Sequence, residues 1–318
     1  MSAIIEIQGL TKKYGSLTAL HELNLTIEEG AVFGFIGPNG AGKTTTMRIL
    51  TTLLKPTSGK AWVAGHDVLK DQRGVRQAIG YMPDFFGVYE DMKVWEYLDF
   101  FAACYDVPKS SRNGMIHDLL ALVDLGHKRD AFVEGLSRGM KQRLCLARTL
   151  AHDPQILILD EPASGLDPRA RIEIRELLKE LRNMGKTIFF SSHILSEVAD
   201  ICSSIGIIEA GQLIAFGDME EMKRKLRAHR LMSVKVLGEI TAVQEYLLHH
   251  SEDVQSIMAG VEAGLATNEV RFDFVGDDAA LSQVLAGMIS QGIAVTSFHE
   301  EVGDLEDVFL QVTQGIVN

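Results

Sequence analysis

Gly37-Pro38-Asn39-Gly40-Ala41-Gly42-Lys43-Thr44 is the stretch around which this chain is organised. It fits G-x-x-x-x-G-K-[ST], the phosphate-binding P-loop pattern. The run before it, Ala31-Val32-Phe33-Gly34-Phe35-Ile36, is apolar throughout, as in a strand covered on both faces. After it, Met47, Ile49, Leu50, Leu53 and Leu54 recur at helical spacing, which predicts a helix that continues until Pro56 forbids it. A strand–loop–helix turn of this kind aims backbone N–H groups and a helix N-terminus at a polyphosphate, and its glycines let the loop wrap closely. Lys43 would reach the β- and γ-phosphates, and Thr44 would offer its hydroxyl to Mg²⁺. The pattern predicts nucleotide binding without choosing among a kinase, a GTPase and a transport ATPase.

On the N-terminal side, Ile4-Ile5-Glu6-Ile7 and Leu23-Asn24-Leu25-Thr26-Ile27 predict antiparallel strands, with Tyr14 on the turn between them. One loop tyrosine, taken alone, is a surface aromatic. On the C-terminal side, Gly59–Gly65 and Ile79-Gly80-Tyr81-Met82-Pro83 predict further strands. From Val94 to about Leu125 the periodicity turns helical: Val94, Tyr97, Leu98 and Phe101 share one face, and Ile116, Leu119, Leu120 and Val123 another. This block interrupts an alternation of strand and helix, which predicts an inserted helical subdomain.

Ser137, in Leu136-Ser137-Arg138-Gly139-Met140-Lys141-Gln142-Arg143, is a candidate N-cap for a helix running to about His152. Ile156-Leu157-Ile158-Leu159 has the composition of a central parallel strand and ends in Asp160-Glu161-Pro162. Adjacent carboxylates after a buried strand are costly unless something cationic meets them, and a metal–nucleotide complex is the obvious partner. Asp167 and Pro168 look like N-cap and first residue of a helix that stops at Gly185. Thr187–His193 predicts one more parallel strand, with His193 at the C-terminal edge where open α/β sheets bind ligands. Ile207–Phe216 carries a hairpin signal around Ala210-Gly211-Gln212, and Met222–His229 is a basic helical stretch.

The length of 318 residues suggests two domains, and 46% hydrophobic with 23% charged residues is ordinary for a globular core. A net charge of −12 argues against a general nucleic-acid binder. Cys104, Cys145 and Cys202 match neither a disulfide framework nor a zinc site, and their apolar or helical contexts predict small buried residues in a reducing compartment. No stretch has the pattern of a signal peptide or a membrane span, so a membrane role is expected to come through a partner. From Leu231 onward, short strands and helices follow in the order β-α-β-β-α-β, which predicts a small ferredoxin-like unit. That unit is expected to serve as a dimer-stabilising appendage in preference to a ligand sensor, because no polar cluster stands out in it.

Taken together, residues 3–220 resemble the nucleotide-binding subunit of an ATP-binding cassette (ABC) transporter. The resemblance implies an α/β P-loop domain at 1–222, with a parallel-sheet core, an antiparallel β subdomain and a helical subdomain at about 84–150. A small α+β accessory domain would occupy 223–318. It implies that Tyr14 stacks on adenine and that Gly37, Pro38, Asn39, Gly40, Ala41, Gly42, Lys43, Thr44 and Thr45 hold the phosphates of ATP. Ser137 and Gly139 belong to a segment similar to the family signature, which usually reads L-S-G-G-Q; Arg138 and Met140 depart from it. Asp160 and Thr44 resemble Mg²⁺ ligands, and Asp84, where the family usually has Gln or Glu, would offer an oxygen to the same ion. Glu161 resembles the general base, His193 the switch histidine at the γ-phosphate, and Ser164-Gly165-Leu166-Asp167 the loop that crosses the dimer interface. Residues 300–312 resemble the closing segment of bacterial and archaeal exporters whose ATPase and permease are separate chains. The partners so implied are a second copy or a paralogous cassette closing on ATP, and an integral membrane permease that holds the chain at the inner face of the cell membrane. Two alternatives stand beside this. One is a soluble ABC ATPase that remodels a ribosome, DNA end or assembly complex; ribosome-acting relatives usually carry two cassettes and DNA-end relatives long heptad coiled coils, and neither pattern is present. A regulatory protein that hardly hydrolyses ATP fits poorly with the adjacent Asp160 and Glu161.

Overall fold

The computed structural model describes residues 2–85, 87, 89, 91–194, 198, 200–219, 230–249, 253–259 and 266–301. These fall into two compact units, the first reaching Met219 and the second lying within 230–301.

In the first unit, β1 (Ala3–Tyr14) and β2 (Leu17–Glu28) form a long antiparallel hairpin. It extends into a sheet through β4 (Ser58–Val63) and β5 (His66–Asp67), in the order β2-β1-β4-β5. Leu23, Leu25 and Ile27 alternate with exposed Asn24 and Thr26, and this two-residue period turns one face of β2 into the core. Both strands run well beyond the segments expected, and Tyr14 closes β1 opposite Leu17. Mixed polar and apolar residues such as Lys12 and Thr18 obscure the strand signal, but ladder hydrogen bonds are made by any backbone.

The second sheet has the order β10-β9-β3-β8-β7-β6. Its members are β3 (Val32–Ile36), β6 (Ile79–Met82), β7 (Ile156–Leu159), β8 (Thr187–Ser192), β9 (Ser204–Glu209) and β10 (Gln212–Asp218). All neighbours are parallel except β9 and β10, which are joined by a turn at Ala210 and Gly211 with φ of 47° and 79°. β3, β7 and β8 are buried along their whole length, as their unbroken apolar runs require. The rings of Phe33 and Phe35 each lie 5.5 Å from that of Phe189 across the β3–β8 pair.

The helix after the P-loop, α1 (Lys43–Leu50), is shorter than its spacing predicts. Thr52 takes a left-handed φ of 65°, and the N–H groups of Leu53 and Leu54 both return to the Arg48 carbonyl. The helix therefore closes early, and Leu53 is left exposed. The chain needs this reversal to bring Thr57 to the Thr11 carbonyl and start β4 alongside β1. The helical block contains α3 (Val94–Cys104) and α4 (Lys109–Leu122), separated at Pro108, and then α5 (Arg138–Thr149). α5 stops at Thr149, short of His152, in turns that include Asp153 at φ 53°. Between β6 and β4 lies α2 (Gln72–Ala78), and α6 (Pro168–Asn183) connects β7 to β8. Cys145 and Cys202 are buried as expected, but Cys104 is exposed. Two residues past buried Ala102, it lies on the opposite side of α3.

The second unit comprises β11 (Arg230–Val236), α7 (Thr241–His249), β12 (Val254–Ala259), β13 (Glu269–Phe274), α8 (Asp278–Ser290) and β14 (Val295–Glu301). The order β12-β13-β11-β14, with every neighbouring pair antiparallel, is that of a ferredoxin-like sheet. Val243 and Leu247 of α7 and Val284 and Met288 of α8 share one core with Val234, Phe272 and Phe274. The basic stretch expected from Met222 to His229 and the closing segment beyond Glu301 lie outside the described residues.

Candidate nucleotide site

β3, β8, β7 and β6 are adjacent and parallel, so the segments that follow them emerge along one edge of the sheet. The P-loop follows β3, His193 follows β8, Asp160 and Glu161 follow β7, and Asp84 lies two residues beyond β6. This is the C-terminal edge at which open parallel sheets bind ligands.

Gly42 caps α1 with φ 111°, and a Cβ there would fall 2.8 Å from the Ala19 carbonyl oxygen, so the loop at this point admits only glycine. Lys43 is almost fully buried and donates through Nζ to the carbonyls of Gly37 at 2.6 Å and Pro38 at 3.2 Å. Its ammonium also lies 3.3 Å from Glu161 Oε1. Thr44 and Thr45 follow in the first turn of α1, both half-buried. Asn39 and Gly40 are exposed at the tip of the loop, and Ala41 is buried at its base with its N–H on the Pro38 carbonyl.

Asp160 is completely buried. Ser191 donates its hydroxyl to Asp160 Oδ1 at 2.7 Å, and the same hydroxyl oxygen accepts from the Glu161 N–H at 2.9 Å. The Asp160 N–H is held by the Met82 carbonyl at 2.8 Å, which ties β7 to the strand leading to Asp84. Burial, above all, pushes the Asp160 carboxyl above its ordinary range; hydrogen bonds from Ser191 and Thr44 work against this, and the charges of Asp84 and Glu161 add to it. Burial and the Asp160 charge also push the Tyr81 phenol up to about 12. Asp160 Oδ2 completes no hydrogen bond among the described residues, and Glu161 Oε1 has only its ion pair with Lys43.

Glu161 stands at φ 50°, a left-handed conformation unusual for a side-chain-bearing residue. Its Oε2 is 2.8 Å from Nδ1 of His193, which is partly exposed. An ionised carboxylate only accepts, so Nδ1 carries the proton of this bond. Lys43, Glu161 and His193 are thus joined through one carboxylate, beside a second that is buried and incompletely bonded. An unpaired buried carboxylate oxygen is expensive, so the arrangement is suited to a cationic or proton-donating occupant.

Ser137 caps α5 as expected, its hydroxyl accepting from the Met140 N–H at 3.3 Å. Ser137 and Gly139 line a small cavity of about 210 Å³ with Gly165, Asp167 and Ala170. Arg138, between them, donates to the Ser164 carbonyl in the loop before α6. Tyr14 is half-exposed, with Lys12 Nζ 5.0 Å from its ring centroid. Two residues that shape the site were not singled out from the sequence. Ser191, which bonds both carboxylate residues, is a small polar residue closing an apolar strand, and that contrast was the available signal. Gln142, buried in α5, donates to the Pro162 carbonyl at 2.7 Å, a contact that helical spacing alone does not reveal.

Known proteins resemble the chain along its whole length. The profile of the ABC transporter family matches residues 20–164. The bacitracin transport ATP-binding protein BcrA of Bacillus licheniformis is 33% identical over 318 residues, 99% of each chain. The chain belongs to the ABC transporter family. The Nod factor export ATP-binding protein I of Cupriavidus metallidurans is 34% identical over 98% of each chain. An ATP-binding cassette solved as a dimer in a post-hydrolysis state with ADP and Pi superposes with a TM-score of 0.62 at 25% identity, covering 68% of this chain and 98% of that one. The protein is an ATP-binding subunit of the ABC transporter type and an ATPase, with the P-loop fold of that family. Subunits of this family dimerise and work with a membrane permease. No helix among the described residues is long and apolar enough to cross a membrane.

Proposed function

We propose that this ABC subunit is the ATP-hydrolysing motor of an exporter, in which two cassettes close on ATP and drive a permease encoded as a separate chain. Residues 1–222 form the motor and 223–318 an accessory unit that stabilises the dimer. The full-length similarity to proteins named for bacitracin transport and Nod factor export supports the direction of transport. The observation that carries the hydrolytic role is Glu161, held between Lys43 at 3.3 Å and His193 at 2.8 Å.

ATP enters with its adenine against Tyr14 and its phosphates against the N–H groups of Gly37–Thr45. The γ-phosphate competes with Glu161 for Lys43, which frees the carboxylate to orient a water molecule and take its proton. His193 leaves its bond to Glu161 and donates to the transferred phosphoryl group. Ser137 and Gly139 complete the phosphate shell from the other subunit, which gives two-fold symmetric sites. Thr44, Asp160 and Asp84 form an oxygen-only donor set that fits Mg²⁺, and the unbonded Asp160 Oδ2 is the atom most in need of a cation. When bound, the ion would neutralise charge on the β- and γ-phosphates. The chain then sits at the inner membrane face through its permease.

Purified chain assayed for ATP hydrolysis with and without extracted membrane proteins tests this. Turnover that rises when a multi-span protein co-purifies is expected. Turnover that ignores membrane proteins and responds to ribosomes would overturn the export role while leaving the ATPase in place.

A further inference from the structure

The signature helix grips the loop that carries the catalytic carboxylate. Arg138 and Gln142 lie four residues apart on α5 and so project from the same face. Gln142, fully buried, donates to the Pro162 carbonyl at 2.7 Å. Arg138 donates through Nη2 to the Ser164 carbonyl at 3.2 Å. The Ser164 N–H in turn reaches the Glu161 carbonyl at 3.0 Å. Gly165, at φ 66°, leaves room for the guanidinium: a Cβ there would fall 2.2 Å from Arg138 Nη2 and 2.4 Å from its Cζ. The contact is therefore one of packing as well as hydrogen bonding, and it occurs at the position where the family signature usually has glycine.

We propose that Arg138 is a positioning residue for ATP hydrolysis: together with Gln142 it fixes the backbone from Glu161 to Gly165 and so sets where the Glu161 carboxylate stands. The inference rests on Glu161 being the general base. Glu161 needs such support because its left-handed backbone is not self-sustaining and persists only where its surroundings hold it. Ser191 holds its N–H side, and the Arg138–Ser164 link holds its carbonyl side. A base misplaced by a fraction of an ångström loses rate without losing substrate affinity. Arg138 is exposed, so its removal opens no core.

The test is steady-state hydrolysis of Mg-ATP by the full-length chain and its Arg138→Ala and Arg138→Lys variants, with melting temperatures measured alongside. Arg138→Ala should lower kcat about tenfold at unchanged KM and melting temperature, as loss of a charge-assisted hydrogen bond would do. Arg138→Lys, which keeps a cationic donor for the Ser164 carbonyl, should recover part of that loss. A kcat within about twofold of wild type, or a raised KM with kcat intact, overturns the proposal. So does a fall in kcat that tracks a lowered melting temperature and that lysine does not relieve. Failure of the underlying assignment is seen separately, as wild-type turnover in Glu161→Gln.

Discussion

Glu161→Gln should separate catalysis from binding in opposite directions. Glutamine keeps the volume of the side chain and an oxygen acceptor but removes the charge that Lys43 and His193 share. General-base catalysis contributes roughly 10²–10⁴ in rate, so kcat should fall by that factor, about 3–5 kcal/mol on the barrier. Affinity should move the other way. The Lys43 ammonium is divided among the Gly37 carbonyl at 2.6 Å, the Pro38 carbonyl at 3.2 Å and Glu161 at 3.3 Å. At that separation the gross attraction to the carboxylate is about 5 kcal/mol for an effective dielectric near 20, much of it offset by desolvation of the pair. An incoming γ-phosphate must draw Lys43 away from this carboxylate and is itself repelled by it. The neutral amide removes both obstacles, while the two carbonyls still hold Lys43. The dissociation constant for ATP should therefore tighten by about tenfold, ~1.4 kcal/mol. Calorimetric titration with ATP and single-turnover phosphate release measure the two quantities. A kcat within about tenfold of wild type would refute the base assignment, and binding weakened by a similar factor would refute the shared-lysine account.

Two further perturbations probe the frame around the site. His152 stacks on Tyr105 with ring centroids 3.8 Å apart and bonds the Ile79 carbonyl at 2.9 Å; burial, above all, holds its pKa below the ordinary 6.5. A folded-state value below the unfolded one means that, as pH falls through 6.5, the unfolded chain binds a proton that the folded chain refuses. This contribution to stability is intact above 6.5 and is lost as the pH drops toward the folded value. His152→Gln, which can keep the donor to Ile79, should flatten the fall in urea midpoint between pH 7 and pH 5, roughly the span in which histidine titrates. An unaltered slope would exclude His152 as its source. Gly34 lies in buried β3, where a Cβ would fall 2.2 Å from Val198 Cγ1 and 2.9 Å from Cys202 Sγ. Gly34→Ala should destabilise by about 1–3 kcal/mol through overpacking, and adding Val198→Ala should recover part of it; an unchanged urea midpoint for the single variant counts against this packing.

Local chemistry carried much of the site. The P-loop is contiguous, and its glycines and Lys43 act through the backbone of one turn. Ser137 and Asp167 cap their helices by bonding an N–H three residues ahead, so the sequence window contains both partners. The second unit was legible because its strands and helices are short, regular and in an order that few folds accept. Boundaries were less legible. α1 stops at Leu50 because the chain must turn to pair β4 with β1, and a periodicity count has no term for that partner. Cys104 is exposed for a similar reason: helical apolar surroundings do not by themselves say which side of α3 faces the core.

The sequence by itself determined that a phosphate-binding turn follows a buried strand, that two carboxylates end another, and that a histidine ends a third. Those are properties of short segments whose partners are neighbours in the chain. Only the tertiary structure decided that β3, β8 and β7 lie side by side, because strand order is set by crossovers that no local pattern encodes. That order brings Lys43 to Glu161 across 118 residues of sequence (161 minus 43), and Glu161 to His193 and Ser191. It also placed Arg138 over Gly165, with its guanidinium on the Ser164 carbonyl in the loop that follows Glu161. Distances between side chains on different strands belong to the packed fold, since they are fixed only when the whole sheet closes.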